Sequence, residues 1–329
     1  MMGENFDEKI TLYIIAYNEE ETIGRCISSF SGACDDVVVI LDDRTTDRTE
    51  QIAWDLEARI YHFHWIDDFS AARNYALDRC LFPWRMFADA DDVLDPGSVE
   101  LVRQAVRYAN ENHIDSIISH YYTSEVNGIP LTDNAMARLT RTGTMRWEGK
   151  IHECQNYDRT KTMISNIEVW HRKPYSRNNN QRNIGTLEKA IPDCNPEELP
   201  RYTFYYAREL MFGGRYREAI EWFDQYLPMS TWDAEKHRAM CDKAECYYML
   251  GEKAEADHVL REAIAYRPQW PDPYVKRGII AHELGRHDDC LSLFAQAQER
   301  MENVHPLFSQ GGILPKLMEI YTDGKVIKV

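Results

Sequence analysis

The sequence predicts an α/β domain with a mostly parallel sheet, followed by an all-α domain of helical repeats. Three observations carry this reading. Short apolar runs alternate with amphipathic stretches through residues 10–120, the grammar of βαβ units. Gly214, Gly251 and Gly285 punctuate the second half at spacings of 37 and 34 residues. Carboxylates gather just beyond the apolar runs, where an open parallel sheet binds its ligands.

The strands and helices follow in order. Ile10 to Ala16 reads as a buried strand, and Ile23, Cys26, Ile27 and Phe30 then recur at helical spacing. Val37 to Leu41 is a second strand, followed by a helix carrying Ile52, Ala53 and Leu56. Arg59 to Phe63 is a third strand, and Ala72, Ala76, Leu77 and Cys80 mark the next helix. Trp84 to Ala88 is a fourth strand, Val99, Val102, Val106 and Ala109 form a helical stripe, and Ile114 to Ser119 is a fifth strand. Residues 121–175 change character, with Tyr121, Tyr122, the turn Asn127-Gly128 and the run Thr140 to Trp147. They suit a hairpin or small antiparallel section. Residues 173–200 are rich in Pro, Asn and Arg and read as a linker with one short helix.

In the second half, Ala207, Ala244 and Gly278 lie seven residues before the three glycines. Ala219, Ala256 and Cys290 lie five after, and Phe223, Leu260 and Phe294 nine after. Ala263 and Ala297 fall twelve after the second and third glycines, and Pro268 closes the second unit. Small residues let paired helices approach, large ones fill the gap, and glycine turns the corner. This order resembles the tetratricopeptide repeat, whose stacked units form a curved surface suited to a protein partner. A domain that merely buttresses the first half is the alternative. The expected divisions are 1–175, a linker at 176–200, repeats at 201–300 and an extension at 301–329.

Composition narrows the function. The chain has 329 residues, 38 Lys plus Arg against 54 Asp plus Glu, and a net charge of −16. Its 44% apolar and 28% charged shares suit a soluble globular protein. No apolar run approaches the roughly 18 residues of a spanning helix. The first run follows an acidic start, unlike a signal peptide, so a cytoplasmic protein is expected. None of the eight cysteines forms a Cys-x-x-Cys pair, which points to reduced thiols rather than a zinc site. The acidic balance disfavours a nucleic-acid partner, since phosphate affinity rests on Lys and Arg.

Ala16-Tyr17-Asn18-Glu19, Asp42-Asp43 and Asp89-Ala90-Asp91-Asp92 follow strands one, two and four. The first turn has no glycine and is acidic, which excludes the dinucleotide fingerprint; no P-loop is present either. Asn18 with Glu21 reads as a capping box. Asp89-x-Asp91 suits a hard divalent cation held together with substrate phosphates. Asp92, Asp95 and Pro96 also suit a helix-entry turn, the reading taken for Asp95.

Four motifs occur in order: Ile14 to Glu19, Val38-Val39-Ile40-Leu41-Asp42-Asp43-Arg44-Thr45-Thr46-Asp47-Arg48-Thr49, Phe69-Ser70-Ala71-Ala72-Arg73-Asn74, and Asp89 to Asp92. Over residues 10–175 the chain closely resembles the family 2 glycosyltransferases of GT-A fold. Gly149-Lys150-Ile151-His152-Glu153 and Val169-Trp170-His171 extend the likeness. They resemble the branch containing peptide S-glycosyltransferases of glycocin biosynthesis and glucosyltransferases of lipopolysaccharide core assembly.

The resemblance implies roles. Ala16, Tyr17 and Glu19 line the base and ribose pocket, and Asp42 accepts a hydrogen bond from the base. Arg73 reaches the diphosphate; its alternative is an ion pair with Asp67 or Asp68. Asp89 faces the donor ribose or sugar, with Ala90 beside it in the donor site. Asp91 binds Mn²⁺ or Mg²⁺, and His171 is a candidate further metal ligand or a structural histidine. Glu153 is the general base, with His152 as the other candidate base or a metal ligand; the usual family pattern there is an acidic pair. Asp47 with Glu50 reads as a helix cap, and Trp147 as a sugar platform or a core residue.

The function expected is inverting, metal-dependent transfer from a nucleotide sugar, a UDP-sugar, to a peptide, protein or glycan acceptor. Transfer to a modified nucleobase in DNA is an alternative. A non-catalytic repeat scaffold with a degenerate first domain is another. A nucleotidyltransferase is disfavoured because its glycine-rich start is missing.

Overall fold

The computed structural model describes residues 5–126, 129–172 and 180–301, together with 318 and 321. The chain separates into two compact units, 1–125 with 133–177, and 126–132 with 178–329.

The first unit runs β1 (Ile10–Ala16), α1 (Ile23–Ser29), β2 (Asp36–Asp42), α2 (Thr49–Asp55), β3 (Arg59–Phe63), α3 (Phe69–Leu77), β4 (Trp84–Asp89), β5 (Asp92–Leu94) and α4 (Ser98–Glu111). Next come β6 (Ser116–Val126), β7 (Ile129–Asp133), β8 (Met136–Arg141), β9 (Arg146–Glu148), β10 (Cys154–Asn156) and β11 (Thr162–His171), of which residues 126–132 are assigned to the second unit. The main sheet follows the order β3-β2-β1-β4-β8-β6-β11-β5. β3, β2, β1 and β4 are parallel neighbours. β8 is antiparallel to β4 and β6, and β11 runs parallel to β6. This is the GT-A arrangement that the resemblance implies.

Apolar residues on alternate sides of β1 explain the layering. Ile10, Leu12, Ile14 and Ala16 join Ile23, Cys26, Ala53, Val102 and Val106 in one core under α1, α2 and α4. Tyr13 faces the other way and packs with Ala76, Leu77, Phe87, Met145 and Trp147, beneath α3 and the β9–β10 ribbon.

Two strand expectations needed correction. The fifth long strand is Ser116–Val126 rather than Ile114 to Ser119, and the three-residue β5 was not anticipated. β5 follows β4 after two residues, yet pairs with β11, at the far end of the path. The sheet therefore curls back on itself from β4 to β5. The antiparallel section appears as β8, β9 and β10; the Asn127-Gly128 turn lies outside the described residues.

The second unit contains α5 (Asn180–Ala190), then three helix pairs: α6 (Leu199–Phe212) with α7 (Tyr216–Met229), α8 (Asp233–Met249) with α9 (Lys253–Tyr266), and α10 (Asp272–Glu283) with α11 (His287–Gln298). α5 lies in the stretch read as a linker with a short helix; the rest of that stretch up to 179, and nearly all of 301–329, lies outside the described residues. Gly214, Gly251 and Gly285 sit between the partners of each pair at φ 75°, 80° and 71°, a region that costs other residues strain. At each, the glycine N–H bonds three residues back and the next N–H five residues back, as in Arg215 N–H to the Leu210 carbonyl, the Schellman closure of a helix. Ala207, Ala244, Ala219, Ala256 and Cys290 are buried at the pair contacts, as are Phe223, Leu260 and Phe294. All eight cysteines are free. Among the described residues no helix is long and apolar enough to cross a membrane.

Gly278 shows how tightly the third pair closes, because a Cβ there would run into the Phe294 ring. Gly to Ala inside a helix ordinarily stabilises by about 0.5–1 kcal/mol. Overpacking costs about 1–3 kcal/mol, so Gly278→Ala should destabilise in urea, and Phe294→Leu in the same chain should restore part of the loss. A second expectation concerns acid. Burial, with Arg238 adding to it, pushes His237 down from 6.5 to about 4, and its ring packs edge-on against Trp270. The unfolded chain takes up this proton near 6.5 while the folded chain resists it. Stability is therefore lost as pH falls from 6.5 toward 4, by about 3 kcal/mol at most. His237→Phe should flatten that part of a Tm-against-pH curve relative to wild type.

Candidate active site

The chemistry collects where β1, β2 and β4 end. β4 ends at Asp89, and α3 opens with Asp68, whose carboxylate accepts the Ala71 N–H and caps the helix. The start of α3 is tied to the 149–150 loop: Ser70 Oγ donates to the Gly149 carbonyl at 2.5 Å and Phe69 N–H to the Lys150 carbonyl at 2.8 Å. One turn into α3, Arg73 meets both acidic groups. Its Nε donates to Glu153 Oε1 at 2.6 Å and its Nη2 to Asp89 Oδ1 at 2.7 Å. The alternative for Arg73, an ion pair with Asp67 or Asp68, is not formed: Asp68 caps α3, and Asp67 accepts from Trp65 Nε1. The guanidinium lies 4.8 Å from the centre of the Trp147 ring. Trp147 is a core residue, 4% exposed, and its Nε1 donates to Tyr13 Oη.

Burial of Asp89 favours its neutral form, but Arg73 and Arg138 outweigh it and hold the carboxyl at about 2. It stays ionised throughout the physiological range. Arg73 is buried against this charge and Glu153, which raise its pKa further despite desolvation. His152 takes a left-handed turn, φ 51°, immediately before Glu153.

A second cluster adjoins the first. His171, at the end of β11, has its Nδ1 3.2 Å from Asp91 Oδ1 and 3.4 Å from Asp92 Oδ1. Burial would discharge the imidazole, but hydrogen bonds from the ring to Asp91 and Asp92 overcome it and lift its pKa to about 10. Asp91, Asp92 and His171 each offer one ligand atom, all within 4.8 Å of one another. Carboxylate oxygens with one imidazole suit Mn²⁺ well and Mg²⁺ less so.

Asp92 is the residue that sequence reasoning undervalued. It is fully buried, and its oxygens are already engaged. Oδ2 accepts Arg138 Nη1 at 2.6 Å and the Asp89 N–H at 2.9 Å, and Oδ1 accepts Tyr121 Oη at 3.1 Å. Arg138 is equally buried, with the Phe87 and Tyr121 rings each 4.2 Å from its guanidinium carbon. The β6–β8 register pairs Ile117 with Leu139 and Ile118 with Ala137, so Arg138 is the extra residue of a bulge, a device that re-aims a side chain. A charged residue inside the apolar run Ala137 to Leu139 was the available signal.

The other candidates fall as follows. Ala16 and Ala90 are buried, and Tyr17 is exposed. Glu19 accepts from the Thr22 hydroxyl at 2.7 Å. Asp42 is buried and paired with Arg44, while Asp43 turns outward to His64. Asn18 does not cap α1: it sits at φ 50° and its Oδ1 accepts the Thr46 N–H. α1 starts only at Ile23, because the chain first closes a turn on the Glu19 carbonyl. Asp47 ties the first two loops together, accepting the Glu20 and Thr49 N–H groups. Asp95 accepts the Gly97 N–H just ahead of α4, as a helix-entry turn requires.

Comparison with known proteins agrees with this geometry. Residues 11–186 match the model for glycosyl transferase family 2, and the chain belongs to that family. It is 28% identical over 227 residues to the SPbeta prophage-derived glycosyltransferase SunS of Bacillus subtilis strain 168, covering 66% of this chain and 53% of SunS. It is 27% identical over 159 residues to the lipopolysaccharide core biosynthesis glycosyltransferase LpsC of Rhizobium meliloti, covering 44% of this chain and 56% of LpsC. A TPR repeat-containing protein of Synechococcus elongatus is 38% identical over 86 residues, covering 26% of this chain and 21% of that protein. The chain thus spans about half the length of the two glycosyltransferases.

The Arg138–Asp92 pair makes a direct prediction. Arg138→Met leaves Asp92 buried without its cation, which should cost about 3–5 kcal/mol in denaturant unfolding. Arg138→Met with Asp92→Asn should recover much of that loss, since no isolated charge remains.

Proposed function

We propose that this protein is an inverting, metal-dependent glycosyltransferase that moves a sugar from a nucleoside diphosphate sugar, a UDP-sugar, to a peptide, protein or glycan acceptor. The observation that carries the reading is Arg73 held between Asp89 and Glu153 beside the Asp91–His171 pair. A cation whose N–H groups donate to oxygens in pairs lies next to a set of oxygen and nitrogen atoms suited to a divalent ion.

Asp91 and His171 hold the metal; Asp92, whose oxygens serve Arg138, Tyr121 and Asp89, orients them. A bound divalent cation supplies Lewis-acid stabilisation of the leaving diphosphate. Arg73 binds the same diphosphate, which competes with Glu153 for the guanidinium and frees the Glu153 carboxylate. Glu153 takes the acceptor proton as the acceptor atom bonds to the anomeric carbon, and the bond from that carbon to the diphosphate oxygen breaks. Asp89, ionised and 2.7 Å from Arg73, fixes Arg73 and faces the donor ribose or sugar. Ala16 and Ala90 give the donor a close backbone approach, and Glu19 lies at the ribose side. His152 shapes the turn before the base.

Residues 1–175 carry this chemistry and the repeats of 201–300 bind the polypeptide acceptor or a protein partner. A cavity of about 530 Å³ in the helical unit, lined by Met211, Tyr248, Leu260, Lys276 and Ile279 among others, supports that role. The likeness to LpsC, a lipopolysaccharide core biosynthesis glycosyltransferase, fits a glycan acceptor.

Incubation with a panel of nucleotide sugars and Mn²⁺, read by release of nucleoside diphosphate, tests the proposal. Asp91→Ala should abolish metal-dependent turnover. Glu153→Gln should lose about 10²–10⁴-fold in transfer while still binding donor. Turnover by neither wild type nor variants, with no thermal shift by any nucleoside diphosphate plus Mn²⁺, would sink the enzyme reading.

A further inference from the structure

A second buried carboxylate, at the end of β2, is met by a different arginine. Asp42 is 7% exposed. Arg44 folds back on it: the backbone N–H and Nε each donate to Oδ1 at 2.9 Å, and Nη2 donates to Oδ2 at 2.5 Å. The guanidinium carbon lies 5.2 Å from the centre of the Tyr17 ring and 5.5 Å from that of Trp65. Trp65 is itself anchored. Its Nε1 donates to Asp67 Oδ1 at 2.9 Å, and its ring meets Phe69 edge-on at 4.7 Å. A flat cation thus rests among two aromatic faces with its N–H edge on a buried acid.

Those are the features a nucleobase presents: a flat π surface and in-plane N–H donors. The two groups cannot hold Asp42 at once. The Arg44 side chain is 53% exposed, so it can leave for solvent without desolvation, and a pair whose cation is half-exposed is a weak competitor. We infer that Arg44 is the resident occupant of the base slot, and that the base of the donor displaces it from Asp42, Tyr17 and Trp65. This rests on the nucleotide-sugar reading above. Arg44 thereby sets the affinity for the base. It also acts as a filter, because an incoming ring compensates for the broken ion pair only by offering its own N–H to Asp42.

Calorimetric titration of the full chain with UDP and Mn²⁺ tests this. Arg44→Ala and Arg44→Met should bind about three- to tenfold more tightly than wild type, by removal of the competing closed state. Arg44→Lys should fall between them and wild type, because an ammonium lacks the planar fork. Binding by wild type with no gain in Arg44→Ala overturns the inference and leaves the donor reading intact. Weaker binding in Arg44→Ala also overturns it, by showing Arg44 to be a donor contact. No binding of any nucleoside diphosphate by either folded protein removes the donor reading and the inference with it.

Discussion

The buried pair of Arg138 and Asp92 is the constraint on which the site depends. Two charges with no solvent exposure are tolerated when they meet each other at short range. Here Asp92 is answered by Arg138, Tyr121 and the Asp89 backbone, and Arg138 is faced by the Phe87 and Tyr121 rings. The groups come from β4, β5, β6 and β8, so the pair sits where the sheet curls to bring β5 back toward β4. The same turn, Asp89 to Asp92, presents Asp89 to Arg73 and Asp91 to His171. Structure and chemistry share one carboxylate.

Around this centre the charges are arranged in matched layers. Arg73 neutralises Asp89 and Glu153, a protonated His171 neutralises Asp91, and Arg44 neutralises Asp42. Asp42, Asp89, Asp91 and Glu153 therefore each already have a cationic partner. A donor with its metal would enter by exchange: diphosphate against Glu153 for Arg73, a divalent ion against the His171 proton, a base against Arg44. Such a site is assembled before its ligand arrives, which lowers the ordering cost of binding.

Much of this was legible in the sequence because the governing signals are local. β1 and β3 were placed residue for residue: β1 is a bare apolar run between polar loops, and the half-buried edge strand β3 carries Ile60, Tyr61 and Phe63. The repeats were legible because every small and large residue recurs at one offset from a glycine that needs positive φ. The acidic strand ends named Asp89 and Asp91, and the family resemblance named Arg73 and Glu153. Pairings set by long-range geometry were not legible. β5 is three residues long and pairs across the curl, Arg138 is aimed by a bulge, and Tyr121 was noted only as one aromatic of the 121–175 section. The Arg73 partners were misjudged for the same reason: Asp67 and Asp68 are near in sequence, whereas Glu153 arrives through a loop tied to α3. Asn18 was misread because its side chain serves the neighbouring loop rather than its own helix.

The central claim is that Asp91 and His171 hold a divalent cation beside a diphosphate that draws Arg73. Anomalous diffraction from crystals grown with Mn²⁺ and UDP measures this most directly. The account predicts one strong manganese peak bonded to Asp91 and His171, with the diphosphate bridging the ion to Arg73 and the Arg73–Glu153 bond broken. Manganese bound elsewhere, or diphosphate bound while Arg73 keeps both carboxylates, would contradict it.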